Sequence, residues 1–522
     1  MVREEFDVCV IGGGINGAAV ARDAALRGLK VALVEAGDFA GATSSRSSKL
    51  IHGGFRYLPQ WQFGLVYHAL RERERLRRRT APHLVHPIRF LFPIYQGRGF
   101  DRFTMSIGLW LYDLFARTRW SERHRMLGVK ATKGQEPLLA SGGLTAAAFY
   151  YDACADDARI TLENALDAAL HGAAVTNYTL LEGFARDADR VVAARVHDVV
   201  NDERVEIRAR LYVNAAGPWV DDIRRMDDPT AQPSVRLTKG VHLVFPTSAL
   251  PVQEALVLAD DAGRIVFVMP YDRYVLVGTT DTDYRGDRRN VAADQNDIEY
   301  LLKVLGDGLP PLTIKEEDIV SSFAGLRALV IGDGEKSPSD VPREETILES
   351  PSGMLTVAGG KLTTHRLIAE KVVHRLLNKL GRFASGSPTR HTPLPGARAS
   401  DDAHFNSALA ADTIRLLRDR YGTRAAMVHR IAAERPELAE LLAPGCPAIA
   451  AEVVHAVRNE MALCVADFLV RRTSLIWRYP LEAEAAAPAV ARLMAAELGW
   501  DSEREEFEVA GFVSDLKRRR AA

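Results

Sequence analysis

Three glycines, Gly12, Gly14 and Gly17, stand in GxGxxG spacing directly after the apolar run Phe6–Ile11. At such a place the first glycine permits a tight turn and the second lets the backbone approach a pyrophosphate. The third lets a helix pack close to its strand. Ile15 and Asn16 complete the turn, and the helix they open presents unpaired N–H groups to the phosphates. Glu35 closes the following strand, where a carboxylate accepts hydrogen bonds from an adenosine ribose. Strand, turn, helix, strand and terminal acid together predict a dinucleotide site. FAD and NAD both use this unit.

The rest of the chain separates the two. ATSSRSSKLIHGG (42–54) follows the second strand almost at once, a long run of hydroxyls and small residues suited to lie against an extended cofactor. Thr43, Ser44, Ser45, Lys49, Leu50, His52 and Gly53 are the expected contacts there. Two later glycine turns each follow a strand: NAAGPW, with Ala216, Gly217 and Trp219, and GGKLTT, with Gly360, Lys361, Leu362 and Thr363. Open α/β sheets bind ligands at the carboxyl ends of their strands. One ligand meeting three distant segments fits elongated FAD better than NAD.

The elements that must position these residues follow from periodicity. Residues 1–36 read as a βαβ unit, with strands at 6–11 and 30–35 and an alanine-rich helix over 18–27 that Gly28 stops. ALRERERLRRR (69–79) has Glu72 and Arg75, and Glu74 and Arg78, at helical pairing distance, and reads as a solvated helix face in preference to an anion site. Two strand-like runs between 191 and 213 flank Asn201-Asp202-Glu203 as a hairpin. VHLVF, RIVFVMP and YVLVGTT then form a mixed or antiparallel sheet. LTVAGGK enters a last glycine turn and a helix over 364–380. Gly, Ser, Pro and Thr mark a linker, and beyond about residue 401 the pattern is helical and offers no obvious chemistry.

A chain of 522 residues is too long for one core. With 67 basic against 68 acidic residues the net charge is −1, which argues against a general nucleic-acid binder; any anionic ligand must meet a local cationic cluster. The four cysteines lack CxxC spacing, so neither a disulfide framework nor a metal site is indicated and a reducing, cytoplasmic setting is expected. No signal-peptide pattern and no apolar run of roughly 20 residues stand in the sequence.

GGGINGAAVARDAALRG, ATSSRSSKLIHGGFRYL, YYDACADDARITLENA, VNAAGPWV, LTKGVHLVF, GTTDTDY and VAGGKLTT, in this order, resemble the FAD-dependent, quinone-linked glycerol-3-phosphate dehydrogenases of aerobic bacteria. The resemblance runs from the first strand to about residue 380 and extends weakly through the helical tail. It implies an α/β fold: a Rossmann-like FAD-binding domain (1–75, 150–225 and 315–385) interleaved with a mixed or antiparallel-sheet substrate domain (76–149 and 226–314). A linker (386–400) and a C-terminal α-helical cap domain (401–522) follow. Oxidation of sn-glycerol 3-phosphate to dihydroxyacetone phosphate, electron delivery to a membrane quinone, a peripheral place on the cytoplasmic face of the inner membrane and a homodimer are implied with it.

Arg56, beside Tyr57, matches a phosphate-binding arginine of the family pattern, and Arg327 in FAGLR matches a second. Ala328 stands where the pattern commonly has proline, which puts the loop's shape in doubt more than the arginine. Arginine suits a phosphate because its planar fork donates two parallel hydrogen bonds. Lys361 falls near the expected flavin ring, and Thr280 in GTTD offers a hydroxyl to the substrate. For the alcohol's proton, His242 in KGVH is the first choice and His52 the second, since imidazole titrates near neutrality. A strand histidine satisfied by a backbone carbonyl is the plain alternative for His242. An oxygen-using glycerol-3-phosphate oxidase, an amine oxidase of the glycine or sarcosine type and a non-catalytic flavin binder are the rival functions.

FTMSIGLWLYDLF (103–115), flanked by Arg98, Arg102, Arg117 and Arg119, fits an interfacial helix and a buried helix equally well. Lys517-Arg518-Arg519-Arg520 could meet anionic lipid, although a solvated tail is the commoner origin of such a run.

Overall fold

The protein is described by a computed structural model that covers residues 5–58, 61–97, 99–331, 345–383, 386–399 and 409–520, without the side chains of Arg56 and Arg520. Phe6–Ile11 is buried at every position, as a strand covered on both faces must be. It pairs in parallel with Val31–Val34 on one side and Glu203–Asn214 on the other. Leu355–Ala358 extends the parallel sheet beyond Glu203–Asn214, and Ala174–Thr176 beyond Val31–Val34. Helices Ile15–Leu26, Asp157–Leu170 and His365–Lys379 cover it. Helix Ile15–Leu26 starts three residues earlier than its alanine run, because Gly14 is already in the extended N-cap conformation.

A second, ten-stranded sheet is mostly antiparallel. Its centre is Val235–Pro246, held between Tyr274–Gly278 and Ser321–Val330. Two boundaries therefore move. Ser321–Val330 was expected with the FAD-binding segments, yet it pairs with Val235–Pro246 along ten residues. Leu144–Ala155 likewise runs through residue 150, joining Val85–Tyr95 and Leu50–Ile51. Both strands are buried along most of their length, and such burial does not say which sheet.

The charged helix is a further correction. Phe63–Arg75 forms, and the pairs Glu72–Arg75 and Glu74–Arg78 are present, but Glu72, Arg73 and Glu74 are buried. Glu72 takes both forks of Arg366 at 2.7 and 2.8 Å, and Arg73 reaches Asp152 at 2.6 Å. The partners lie far away in sequence, so the run looked solvated when read alone. Residues 386–399 are no free linker either. Ser387 and Thr389 are buried and bond Asp23, and the Gly396 N–H donates to Glu163, strapping the segment over the parallel sheet's helices.

Residues 409–520 form the helical domain foreseen from the 3- and 4-residue spacing. It is locked to the first unit through buried charge: Arg159 and Glu460, both without exposure, make two hydrogen bonds at 2.6 and 3.0 Å. The last helix, Ser502–Arg520, is no loose tail. The Arg519 carbonyl accepts from Ser322, and its guanidinium lies over the Trp477 ring. Removing one member of a buried ion pair strands the other charge, at a cost of about 3–5 kcal/mol. Glu460→Gln is therefore expected to lower the chain's denaturant midpoint sharply, while the exposed Glu437→Gln leaves it unchanged; a similar midpoint for both in urea titration would contradict this.

Candidate active site

A cavity of about 990 Å³ runs along the carboxyl ends of four adjacent parallel strands, at the top of the roughly 300–1,000 Å³ range of ligand sites. Gly12 has φ +107°, and a Cβ there would lie 2.7 Å from the Ala215 carbonyl oxygen. At Gly17 a Cβ would fall 1.8 Å from the Gly12 oxygen, so only glycine lets the helix approach so closely. The helix N-terminus has no side chain of its own as cap; Ser44 Oγ accepts from the Ile15 N–H at 2.9 Å. Asn16 donates to the Gly359 carbonyl at 3.1 Å and leaves its own Oδ1 buried without a partner among the described residues. Glu35 accepts from Gly13 N–H at 2.6 Å and from Gly37 N–H at 2.9 Å, which fixes the loop after its strand. Burial raises its pKa against those hydrogen bonds.

At the other end the cavity meets the mixed sheet. Arg327 spans Thr279 Oγ1 at 2.9 Å, the Thr280 carbonyl at 3.2 Å and Asp281 at 3.3 Å. Its guanidinium lies over Gly240, where a Cβ would come within 2.4 Å of Nη2. Lys361 Nζ stands 3.9 Å from the centre of the Tyr57 ring and lines the same end, as do His52, Gly54 and Phe267. The His242 ring is stacked on Phe323 at 4.8 Å, with Nε2 2.8 Å from Ser48 Oγ and Nδ1 buried without a partner. Burial first, then Arg327 and Lys49, holds its pKa well below the usual 6.5, so the ring is neutral. His242 is 1% exposed and stands in the cavity wall beside its hydrogen-bond partner Ser48.

Known proteins resemble this arrangement. The model of the FAD-dependent oxidoreductase family matches residues 7–375, and that of the C-terminal domain of alpha-glycerophosphate oxidase matches 387–505. The aerobic glycerol-3-phosphate dehydrogenase of Staphylococcus haemolyticus is 38% identical over 97% of this chain and 93% of its own length. The chain belongs to the FAD-dependent glycerol-3-phosphate dehydrogenase family. The Staphylococcus aureus relative of the same name is 38% identical over 91% of this chain and 88% of its own. A glycerol-3-phosphate dehydrogenase from Bacillus halodurans, solved in complex with FAD, superposes with a TM-score of 0.83 at 32% identity, covering 100% of this chain and 96% of that one.

FAD fits what this site presents: open glycine backbone, a helix terminus whose N-cap residue carries no side chain and an orphaned amide oxygen on one wall. Gly12, Gly14, Ile15, Asn16, Glu35, Thr43, Ser44, Leu50, His52, Ala216, Gly217, Trp219, Gly360, Lys361, Leu362 and Thr363 line the cavity, with His242 and Arg327. Other expected contacts are turned away. Gly17 packs helix on strand, and Ser45 is buried under its own turn. Lys49 Nζ is spent on Asp157 and the Ser45 carbonyl, both at 2.5 Å. The Gly53 N–H donates to Tyr112 Oη at 2.9 Å, and Tyr57 is buried beneath Lys361. The Thr280 hydroxyl accepts from the Val241 N–H inside the sheet at 3.0 Å, so its neighbour Thr279 faces the cavity in its place. The Arg56 side chain lies outside the described residues, as does Arg98.

Sequence reasoning missed Ser48, Arg46, Asp38, Tyr178 and Arg471 on the walls. Arg46 is pushed down to about 10 by burial and by Arg519 and Arg471 nearby. Arg46 and Ser48 both sat within the quoted motif, but nothing in the helical tail marked Arg471. Gly17→Ala is expected to yield a colourless chain, because the methyl cannot clear the Gly12 oxygen without parting helix from strand. An absorbance spectrum of the purified variant with full flavin content would overturn this.

Proposed function

We propose that the chain oxidises sn-glycerol 3-phosphate to dihydroxyacetone phosphate and that its electrons pass to a membrane quinone. The observation that carries the reading is that Arg327 and Lys361 both line the cofactor cavity. Two cations there suit a phosphate dianion better than a single carboxylate, which speaks for this substrate over a glycine-type amine. The relatives named as aerobic glycerol-3-phosphate dehydrogenases, aligned over nearly the whole chain, support it.

When bound, FAD supplies the two-electron acceptor for the carbinol hydrogen, which no side chain of the chain could replace. Arg327, preset by Thr279 and the Thr280 carbonyl, grips the phosphate with Lys361. The hydroxyl proton goes to the His52 imidazole, the ring that lies openly on the wall. We place His242, behind Ser48, as a positioning residue for that hydroxyl, in preference to the role of first-choice proton acceptor.

Helix Arg102–Ala116 supports membrane contact. Met105, Leu109 and Tyr112 are buried, whereas Phe103 is 75%, Trp110 55% and Leu114 69% exposed, and Trp61 and Trp120 are near 80%. One face of the helix is thus buried, and the exposed rings and Leu114 of the other support the interfacial reading. No described helix is long and apolar enough to cross a membrane, so a stripe of this kind would lie in the interface plane.

Anaerobic addition of glycerol 3-phosphate is expected to bleach the flavin, glycine and lactate leaving it yellow; bleaching by glycine alone would refute the reading, and peroxide release in air without quinone reduction would replace quinone by oxygen. Arg327→Ala is expected to keep the flavin and raise KM roughly 100-fold, the scale of two charge-assisted hydrogen bonds, and steady-state kinetics with an unchanged KM would remove its role.

A further inference from the structure

The helical domain read as free of chemistry sends one side chain into the cofactor cavity. The π-helical turn Asp467–Arg472 presents Arg471 beside Asp38 and Tyr178, all three on the cavity wall near Glu35. Asp38 is the hub. It accepts two hydrogen bonds from Arg472 at 2.6 and 2.8 Å, one from Arg471 and one from Asn177 at 3.1 Å. Burial opposes its charge, yet Arg472 and Arg471 hold its pKa down at about 2. Asp467 in turn takes Arg471 Nη2 and the Tyr178 hydroxyl, the latter at 2.7 Å. The Tyr178 N–H donates to the Gly37 carbonyl and the Thr179 N–H to the Glu35 carbonyl, each at 2.7 Å, so the same cluster stitches the loop that follows Glu35.

Arg471 Nε and Nη2 are used in this way. Nη1 has no partner among the described residues, and the side chain keeps 13% exposure. Two carboxylates and two guanidiniums cancel across the cluster. What remains is a directed N–H donor without net charge, suited to a neutral acceptor such as a ribose hydroxyl or a purine nitrogen rather than to a pyrophosphate. Glu35 marks this as the ribose end of a GxGxxG unit.

We propose that the C-terminal domain contributes Arg471 as a binding residue for the adenosine half of FAD, and that Asp38 and Arg472 position it. The cofactor site is then complete only with this domain docked. The inference rests on the family's FAD cofactor. If the unaltered apoprotein takes up no FAD, that reading fails and the role of Arg471 is not reached.

The test uses the full-length apoprotein and compares FAD with its two halves, ADP and FMN. Arg471→Gln is expected to raise Kd for FAD and for ADP at least tenfold and to leave FMN within twofold, followed by flavin fluorescence and by competition. Arg471→Lys, which keeps the charge but not the fork, should fall between. General loosening would weaken all three ligands alike and would overturn the proposal, as would unchanged FAD and ADP affinity. Should the variants not accumulate as folded protein, hydrogen exchange in the unaltered chain decides. FAD and ADP, but not FMN, must slow exchange in segment 463–473; equal protection by FMN, or none by ADP, sinks it.

Discussion

The Gly12 carbonyl oxygen occupies the space that a side chain at residue 17 would need. That contact sets how near helix Ile15–Leu26 comes to strands Phe6–Ile11 and Glu203–Asn214, and so where its N-terminal N–H groups point. Around them the trough is built from the backbone of neighbouring strand ends: Ala215 to Gly217 from one, Gly359 and Gly360 from the next. A dinucleotide is long, and a wall of peptide groups from neighbouring parallel strands can follow it without long side chains intruding. The hydroxyls of 43–48 then close the trough from the side, with Thr43 fastened to the Leu326 carbonyl of the mixed sheet.

Charge does the work of joining distant segments. The chain is nearly neutral overall, and much of its charge is buried in pairs: Arg22 with Asp167, Arg73 with Asp152, Arg159 with Glu460, Arg366 with Glu72, Arg472 with Asp38. Such pairs add little net stability over apolar packing, because desolvation offsets most of their attraction. Their geometry is directional, however, and a wrong docking would leave unpaired charge in the interior. The helical domain illustrates this: its contacts with the first unit include Arg159–Glu460 and Arg472–Asp38, both fixed by paired hydrogen bonds.

Features written in backbone were legible in the sequence. Gly12, Gly14, Gly17 and the turn at Gly360 announced themselves, since a glycine at a strand end has few other reasons to be there. Features written in partners were not. Lys49 sits in the motif beside the cofactor yet points to Asp157, a residue over a hundred positions away. Thr279 and Thr280 are adjacent just beyond strand Tyr274–Gly278, and only Thr279 lines the cavity, so one position decides which hydroxyl serves the ligand. Arg471 lies in a helix whose periodicity records only its packing, and its cavity contact depends on how a whole domain docks. Residues 69–79 looked solvated for the same reason, their partners Asp152 and Arg366 being invisible at short range.

The neutral state of His242 follows from the same logic of burial and has a consequence for the substrate end. Lys49 and Arg327 both act on the ring, and a protonated imidazole between them would put a third cation into a buried corner. Stacking on Phe323, itself packed on Trp477 at 4.3 Å, removes the water that would otherwise support that charge. The corner therefore holds its positive charge on Arg327 and Lys361, which cannot easily lose it, and keeps its imidazole uncharged. In the proposed reaction the alcohol proton goes to a separate ring, His52, on the cavity wall. The group placed to grip and the group placed to take the proton thus have separate surroundings, Arg327 an ion pair with Asp281 and His52 a place on the cavity wall.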